Sequence, residues 1–372
     1  MKIGFLTTYF YPVTGGAENN CFYLARELAK KHEVHIFTSN KKNGETFPPE
    51  EVKDNIQIHR FNTILRHKYY LALYPSVIKA ISKADLDILH VQSLGFVMHD
   101  LTVVLKKLKG KTKLVNTPHG PFMALPSYPL TQKILKKVMT FAEKPFNTLY
   151  DAVIQVNPSQ YLWMTQLGFK KEKIHFIPNG IPEEIFKLVP KKQQWKNKLV
   201  ISYVGRIQEY KGIDQIIQIL PEFPKMVFIA IGQDAGDKQR LSILAQKLKV
   251  QDRVIFTGRI DEDKKLQILD ESEIFIMPSQ WEAFGIAMLE AMARSNAIIS
   301  TTTEGGQFLV TKENGYLYKY GDVKTLAKHL EALQDTKIRK AMQKANKEKA
   351  KQFTWDKIAK QVEELYFRLN NN

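Results

Sequence analysis

The 372-residue chain is nearly without cysteine. Cys21 stands alone, which excludes an intramolecular disulfide and a cysteine-based zinc centre. No run of eighteen apolar residues occurs, so no segment is expected to span a bilayer. Met1-Lys2-Ile3-Gly4-Phe5-Leu6 has neither the basic lead nor the apolar stretch of a secretory leader and enters a first strand at once. A cytoplasmic protein is the expectation. Neither G-x-G-x-x-G nor a Walker loop follows that strand, which argues against a nicotinamide enzyme and a P-loop NTPase. The nine histidines show no H-E-x-x-H spacing, and no low-complexity tract or short-period repeat is present.

Acid is scarce relative to base: 38 Asp and Glu against 55 Lys and Arg, a formal net charge of +17. Residues 101–150 hold nine lysines and a single acid, Glu143, nearly half of that excess. A local patch of one sign steers an anionic partner, such as a lipid head group, a phosphorylated acceptor or nucleic acid. General lysine enrichment across the chain gives the same count.

What is present is alternation. Short apolar strands recur at Ile3–Thr7, Val34–Thr38, Ile56–Phe61, Ile88–Val91, Lys113–Thr117, Ala152–Val156 and Ile174–Ile177, with helical segments over about 17–31, 74–84 and 130–150 between them. The polar stretch 39–54 reads as a loop. The pattern lapses after Pro178-Asn179-Gly180 and in the lysine-rich run up to Lys198. It resumes with Leu199–Val204, Val227–Ile231, Val254–Thr257, Ile274–Met277, Ala297–Ser300 and Gly315–Tyr318. Strands separated by helices form parallel βαβ units, so two doubly wound domains are expected. We divide the chain into domains 1–182 and 199–355, a linker over 183–198, and a final amphipathic helix over 356–372.

In such sheets, ligands sit at the carboxyl ends of strands and against helix N-termini. Four places qualify. After Ile274–Met277, a loop carries Glu282 and leads through Phe284, Gly285 and Ile286 into a helix bearing Glu290. Two acids there suit the hydroxyls of a polyhydroxyl ligand; equally, Glu282 could cap the helix and Glu290 pair with Arg294 at i+4. After Leu199–Val204 come Arg206 and Lys211, a planar fork and a point charge that suit a diphosphate, or merely solvated surface cations. Gly15 and Gly16 open the first domain's loop to close backbone approach, as any tight turn would. His119, between Pro118 and Gly120, follows a strand end and is better placed than a typical core histidine.

Taken together, Gly15-Gly16, Thr117-Pro118-His119-Gly120, Ile177-Pro178-Asn179-Gly180-Ile181, Tyr203-Val204-Gly205-Arg206 with Lys211-Gly212, and Glu282-x7-Glu290 resemble glycosyltransferase family 4. The resemblance runs the length of the chain. It implies the α/β GT-B fold, two Rossmann-like domains facing a central cleft, with the final helix returning to the first domain. It also implies a retaining, metal-independent hexosyltransferase that uses a UDP- or GDP-sugar and a glycan or lipid-linked acceptor. Glu282 would then hold a donor-sugar hydroxyl, and backbone amides near Phe284, Gly285 and Ile286 would approach the sugar or phosphates. Glu290 would hold the ribose hydroxyls. Arg206 and Lys211 would neutralise the leaving diphosphate, Gly16 would meet it from the other domain, and His119 would lie at the reacting carbon. No cofactor and no metal are expected, and no D-x-D-like loop stands at a suitable place.

Three departures touch the rim of the donor pocket. Arg294-Ser295-Asn296-Ala297-Ile298 replaces the usual Gly-x-Pro-Val, Phe308 and Leu309 stand where an acid is common, and Gln233 replaces a frequent Gly. The basic segment 101–150 would place the enzyme on anionic lipid at the cytoplasmic membrane face, with Lys133, Lys136 and Lys137 sharing a helix with Leu130, Ile134, Leu135, Val138 and Phe141. A packed surface helix with solvated lysines has the same sequence. Two rival classes are weaker. An epimerase or a phosphorylase would share the fold, but nothing marks a lysine for pyridoxal phosphate. A nucleic-acid binder would need aromatics between the lysines of 106–113, which are absent, so no nucleic acid is expected.

Overall fold

The computed structural model of the chain describes residues 1–42, 44–67, 71–120, 128–187, 194–195 and 197–371. It divides into two compact units, Met1–Gly180 with Trp355–Asn372, and Ile181–Thr354.

The first unit runs β1 (Lys2–Leu6), α1 (Gly16–Leu28), β2 (Glu33–Ser39), a hairpin of β3 (Lys41–Lys42) and β4 (Glu45–Thr46), β5 (Glu50–Lys53) and β6 (Ile56–Phe61). A second hairpin follows, β7 (Leu65–His67) and β8 (Leu71–Leu73), then α2 (Ser76–Lys83), β9 (Ile88–Gln92), α3 (Val97–Lys109) and β10 (Lys113–Thr117). The last elements before the second unit are α4 (Leu130–Asn147), β11 (Ala152–Gln155), α5 (Tyr161–Gln166) and β12 (Ile174–Phe176). Eight strands pair in the order β12-β11-β10-β9-β1-β2-β6-β5, parallel except where β5 meets β6. The central strands are buried on both faces, as near-continuous apolar runs require. One face packs Ile3, Phe5, Ile36 and Ile58 against Leu24 and Leu28 of α1. The other packs Leu6, Leu89, Val91 and Leu114 against Val77, Ile81 and Val103 of α2 and α3.

The second unit runs β13 (Leu199–Val204), α6 (Asp214–Ile219), β14 (Met226–Ile231), α7 (Lys238–Lys247), β15 (Val254–Gly258), α8 (Glu262–Glu271) and β16 (Ile274–Met277). It continues with α9 (Ile286–Ala293), β17 (Ala297–Thr301), α10 (Glu304–Leu309), β18 (Gly315–Tyr318), α11 (Val323–Ala332) and α12 (Thr336–Ala350). Its six strands are all parallel, in the order β15-β14-β13-β16-β17-β18. The chain then returns to the first unit as α13 (Trp355–Asn370). Trp355, Ile358, Val362 and Tyr366 of α13 join the core beneath α1.

Two expectations change. The polar stretch 39–54 is not all loop, because it contains β3, β4 and β5. The charges of Glu50, Glu51 and Lys53 hid β5, and they are what a sheet edge uses to discourage further pairing. Residues 183–187, expected as linker, belong to the second unit: Ile185 is buried, and Arg294 donates to the carbonyls of Ile185 and Lys187, both at 2.6 Å. Of the rest of the expected linker, 188–193 and 196 lie outside the described residues.

Candidate functional site

Strand order reverses between β13 and β16 in the second unit, and between β1 and β9 in the first. Chains leaving such neighbours diverge and open a crevice at the strands' carboxyl ends. Arg206 and Lys211 follow β13, while Glu282 follows β16. Gly15 and Gly16 follow β1, and His119 follows β10, next but one in the sheet.

In the second unit, Lys211 ends a turn of 3-10 helix that Gly212 closes in the left-handed region at φ +65. A side chain at Gly212 would put its Cβ 2.3 Å from the Pro278 carbonyl oxygen, so glycine lets this turn lie against the end of the β16 loop. Gln215 fixes the junction, donating to the carbonyls of Gly212 at 3.1 Å and Pro278 at 3.0 Å. Lys211 thereby meets Glu282, Nζ to Oε2 at 2.8 Å, with both side chains largely buried. Burial alone would push the lysine pKa down, but Glu282, with Tyr203 and Tyr210, outweighs it and holds the ammonium well above its ordinary value. Arg206 is exposed, and its guanidinium donates to the Tyr210 hydroxyl at 3.3 Å.

Gly285 caps α9 at φ +89, again where glycine is favoured, and the helix begins at Ile286 without a side-chain cap. Uncapped first-turn amides form a ready site for negative charge or hydroxyl oxygen. Glu282 is therefore not the cap. The Gly305 amide donates to its backbone carbonyl at 2.9 Å, while its carboxylate turns to Lys211. Phe284 is buried against Phe308 and Phe353, with ring centroids 5.8 and 6.4 Å away. Phe308, where an acid is common in similar sequences, thus serves packing.

Glu290 lies on α9 with little of its side chain exposed. Burial raises its pKa, and the ammonium of Lys265 on α8, 2.8 Å from Oε2, opposes that rise. The i+4 pairing with Arg294 does not form. Arg294 sits at the C-cap, past the helix end, and pairs instead with Asp270 through both nitrogens of its fork. Lys265 also holds Glu262 at 2.8 Å, one turn back on α8.

In the first unit, Gly15 caps α1 and Gly16 opens it. A Cβ at Gly16 would meet nothing within 4 Å, whereas one at Gly15 would lie 2.3 Å from Oε2 of Glu18. Glu18, in the first turn of α1, is buried beside Gly15, and negative charge there suits the positive end of the helix. His119 takes φ +55, a left-handed conformation that L side chains rarely adopt. Such strain concentrates at functional sites. Its Nε2 faces Oε1 of Gln92 at the end of β9. With that oxygen accepting, Nε2 holds the proton and Nδ1 keeps a lone pair. Burial lowers the ring's pKa to about 4, so at neutral pH it is an uncharged hydrogen-bonding group rather than a proton donor of the imidazolium kind. His90, which gave no signal in the sequence, is fully buried between the Thr117 hydroxyl at 2.7 Å and the Tyr366 hydroxyl at 2.6 Å.

Within their own units, then, Gly15, Gly16, His119, Arg206, Lys211 and Glu282 follow strand ends, Glu290 lies on α9, and Lys211 meets Glu282 directly. Sequence reasoning missed Lys265, Tyr210, Gln92 and Glu18. Only Glu262-x-x-Lys265 carried a local signal, an i,i+3 pair on one helix face. Among the described residues, no group of three His, Cys, Asp or Glu side chains could hold a metal ion.

Comparison with known proteins addresses both units. Residues 14–185 match the Glycosyltransferase Family 4 model, and residues 185–350 match the Glycosyl transferases group 1 model. N-acetyl-alpha-D-glucosaminyl L-malate synthase of Bacillus anthracis is 25% identical over 388 residues, covering 99% of this chain and 97% of its own. Sucrose-phosphate synthase from Thermosynechococcus elongatus superposes with a TM-score of 0.82 at 21% identity, over 99% of this chain and 98% of that one. The Anabaena protein HepE, solved in complex with UDP and glucose, superposes with a TM-score of 0.78 at 19% identity, over 99% of this chain and all of that one. The chain belongs to the family 4, group 1 glycosyltransferases and has the GT-B fold.

Proposed function

We propose that this glycosyltransferase moves a hexosyl unit from a UDP- or GDP-sugar to a glycan or lipid-linked acceptor, with retention at the anomeric carbon and without a metal. The observation that carries the reading is the Lys211–Glu282 pair beside the uncapped start of α9. It sets a cation for a leaving diphosphate next to an acceptor for sugar hydroxyls. Departure of a nucleoside diphosphate places negative charge on the β-phosphate oxygen. Lys211 and Arg206 stabilise that charge as it develops, the work a divalent cation does in metal-dependent enzymes. The Glu282 carboxylate accepts a hydroxyl proton of the sugar, and the amides at Gly285 and Ile286 face its oxygens. In the first unit, His119, uncharged at neutral pH, offers a hydrogen-bonding group without a competing charge. For retention, the acceptor hydroxyl attacks from the face the leaving phosphate vacates and passes its proton to that phosphate. Glu290 holds the ribose hydroxyls.

The lipid-linked acceptor draws support from the first unit. Leu130, Ile134, Leu135, Val138 and Phe141 of α4 are all exposed, Leu130 and Phe141 by 71% and 74%, so this helix carries an apolar row into solvent. Val97, Leu101, Leu105 and Leu108 form a second exposed row on α3, which α4 contacts. Lysines among such rows suit an anionic bilayer surface at the cytoplasmic face. No helix among the described residues is long and apolar enough to cross a membrane.

A thermal-shift and hydrolysis screen against UDP-, GDP- and ADP-sugars tests the donor, because a ligand of the native state raises apparent stability by mass action. Anomeric configuration of the product, read by NMR, tests retention. Turnover in EDTA tests metal independence, and its loss there would overturn that part. Sugar interconversion without transfer, or transfer to inorganic phosphate, would favour the epimerase or phosphorylase reading.

A further inference from the structure

Buried carboxylates that must accept hydroxyl protons face a difficulty. Taken out of water, a carboxyl group gains a proton, and a protonated carboxyl donates where it was meant to accept. Glu290 is in this position, on a buried helix with Glu262 close enough to raise its proton affinity further. Lys265 answers both acids. Its ammonium lies 2.8 Å from Oε2 of Glu290 and 2.8 Å from Oε1 of Glu262, and its side chain is largely buried.

We propose that Lys265 is a positioning residue of the donor site: by bridging Glu262 and Glu290 it keeps the Glu290 carboxylate ionised and aimed, so that Glu290 accepts both hydroxyl protons of a ribose cis-diol. The inference rests on reading Glu290 as the ribose contact. Lys265 itself touches neither sugar nor phosphate. Its contribution is to tether one oxygen of the carboxylate and leave the other, Oε1, with its full acceptor capacity. The i,i+3 pairing with Glu262 limits the rotamers of the long lysine stem, so the ammonium stays where Glu290 needs it. Without Lys265, burial and Glu262 act on Glu290 unopposed, its proton affinity rises, and grip on the diol becomes weaker the lower the pH.

The test uses the full chain with UDP, GDP and ADP and their 2′,3′-dideoxy counterparts, with binding measured by titration calorimetry at about pH 6 and about pH 8, on either side of neutrality. The tightest of the three parent diphosphates is the probe. Lys265→Met is expected to weaken the probe about tenfold or more at the lower pH and less at the higher, because a charge-assisted contact is lost. Binding of the dideoxy probe should hardly change. In turnover, donor KM should rise while kcat stays within about threefold, and Lys265→Arg should restore both. Equal weakening of parent and dideoxy probes at both pH values would make Lys265 a structural residue and overturn the proposal, as would no weakening at all. Glu290→Gln separates the underlying reading. If it leaves the preference for parent over dideoxy probe intact, Glu290 is not the ribose contact and both ideas fall. If it abolishes that preference while Lys265→Met does not reduce it, only the role of Lys265 is refuted.

Discussion

Both units bury carboxyl groups, and they neutralise them in opposite ways. In the second unit, Glu282 and Glu290 each face a lysine ammonium at 2.8 Å. In the first, Asp100 of α3 and Glu143 of α4 are buried facing each other, and among the described residues no cation contributes at either. Burial, then the neighbouring Glu143, pushes Asp100 up to about 8, and burial raises Glu143 as well. Among the described residues near them, the Gly95 amide donates to Glu143 and the Tyr150 phenol lies beside both carboxyls. Two carboxyl groups buried side by side resist ionising together, which favours the state in which one keeps its proton. The first unit's many lysines go elsewhere. Lys106 donates to the carbonyls of Ile81 and Ala84, Lys107 pairs with Asp151, and Lys133 and Lys137 face solvent. An acid neutralised by a proton ties two helices together and has little left to offer a ligand. An acid neutralised by a cation keeps its charge and its lone pairs. The first arrangement suits a clamp and the second a site.

That contrast can be broken at four points. The largest effect is expected for Lys211→Ala, which removes a cation from the leaving diphosphate. A fall in kcat of roughly 10²–10³ is expected, in line with loss of one preorganised donor to developing negative charge. Steady-state kinetics showing less than about a tenfold fall would remove Lys211 from that role. Replacing Lys133, Lys136 and Lys137 together by Ser should weaken sedimentation with anionic liposomes roughly a hundredfold, at about 1 kcal/mol per lysine near such a surface. Unchanged binding would leave the exposed row of α4 without a lipid partner.

Glu282→Ala should lower kcat/KM by roughly 10–100-fold through loss of a charged hydrogen bond to the sugar. Full activity with the correct donor would end its assignment. Taken per pH unit, the smallest effect is on stability. The folded-state pKa of Asp100 lies above its unfolded value, so the folded protein binds the proton more tightly. The pair's stabilisation is complete below the unfolded value of 3.8 and is lost as pH rises through about 8. Denaturation at a series of pH values should show stability falling toward alkaline pH by up to about 1.4 kcal/mol per pH unit from this pair. Asp100→Asn should flatten that slope, and a wild-type curve already flat across this range would show that neither carboxyl keeps its proton.

Much of the fold was legible because the central strands are largely apolar and α1 buries residues at helical spacing, Cys21, Leu24, Ala25 and Leu28. Strand β5 was not, because an edge strand carries charge on purpose and resembles a loop. Of the site, Glu290 stood out as a carboxylate among apolar neighbours, but its partner did not. Lys265 comes from a different helix, 25 residues earlier, and no local spacing links the two. The nearer candidate, Arg294, lies past the end of α9, where its side chain leaves the helix face and reaches Asp270 and the carbonyls of residues 185 and 187. Periodicity encodes which face is buried, not which partner crosses from another element. Phe308 is a similar case. As a departure from an acid it suggested an altered pocket, yet its neighbours Phe284 and Phe353 make it part of an aromatic cluster.

The return of α13 to the first unit has a consequence for how the chain comes off the ribosome. Residues 181–354 emerge as one continuous stretch and hold every strand of their own sheet. The sheet of the first unit is synthesised earlier but lacks the helix that covers Ile3, Ile36 and Leu24 and gives His90 its Tyr366 partner. The order of synthesis is therefore the reverse of the order of completion. The nascent first unit, with α1 in place, still has part of this apolar face uncovered until α13 arrives, and that exposed surface invites chaperones and misassembly.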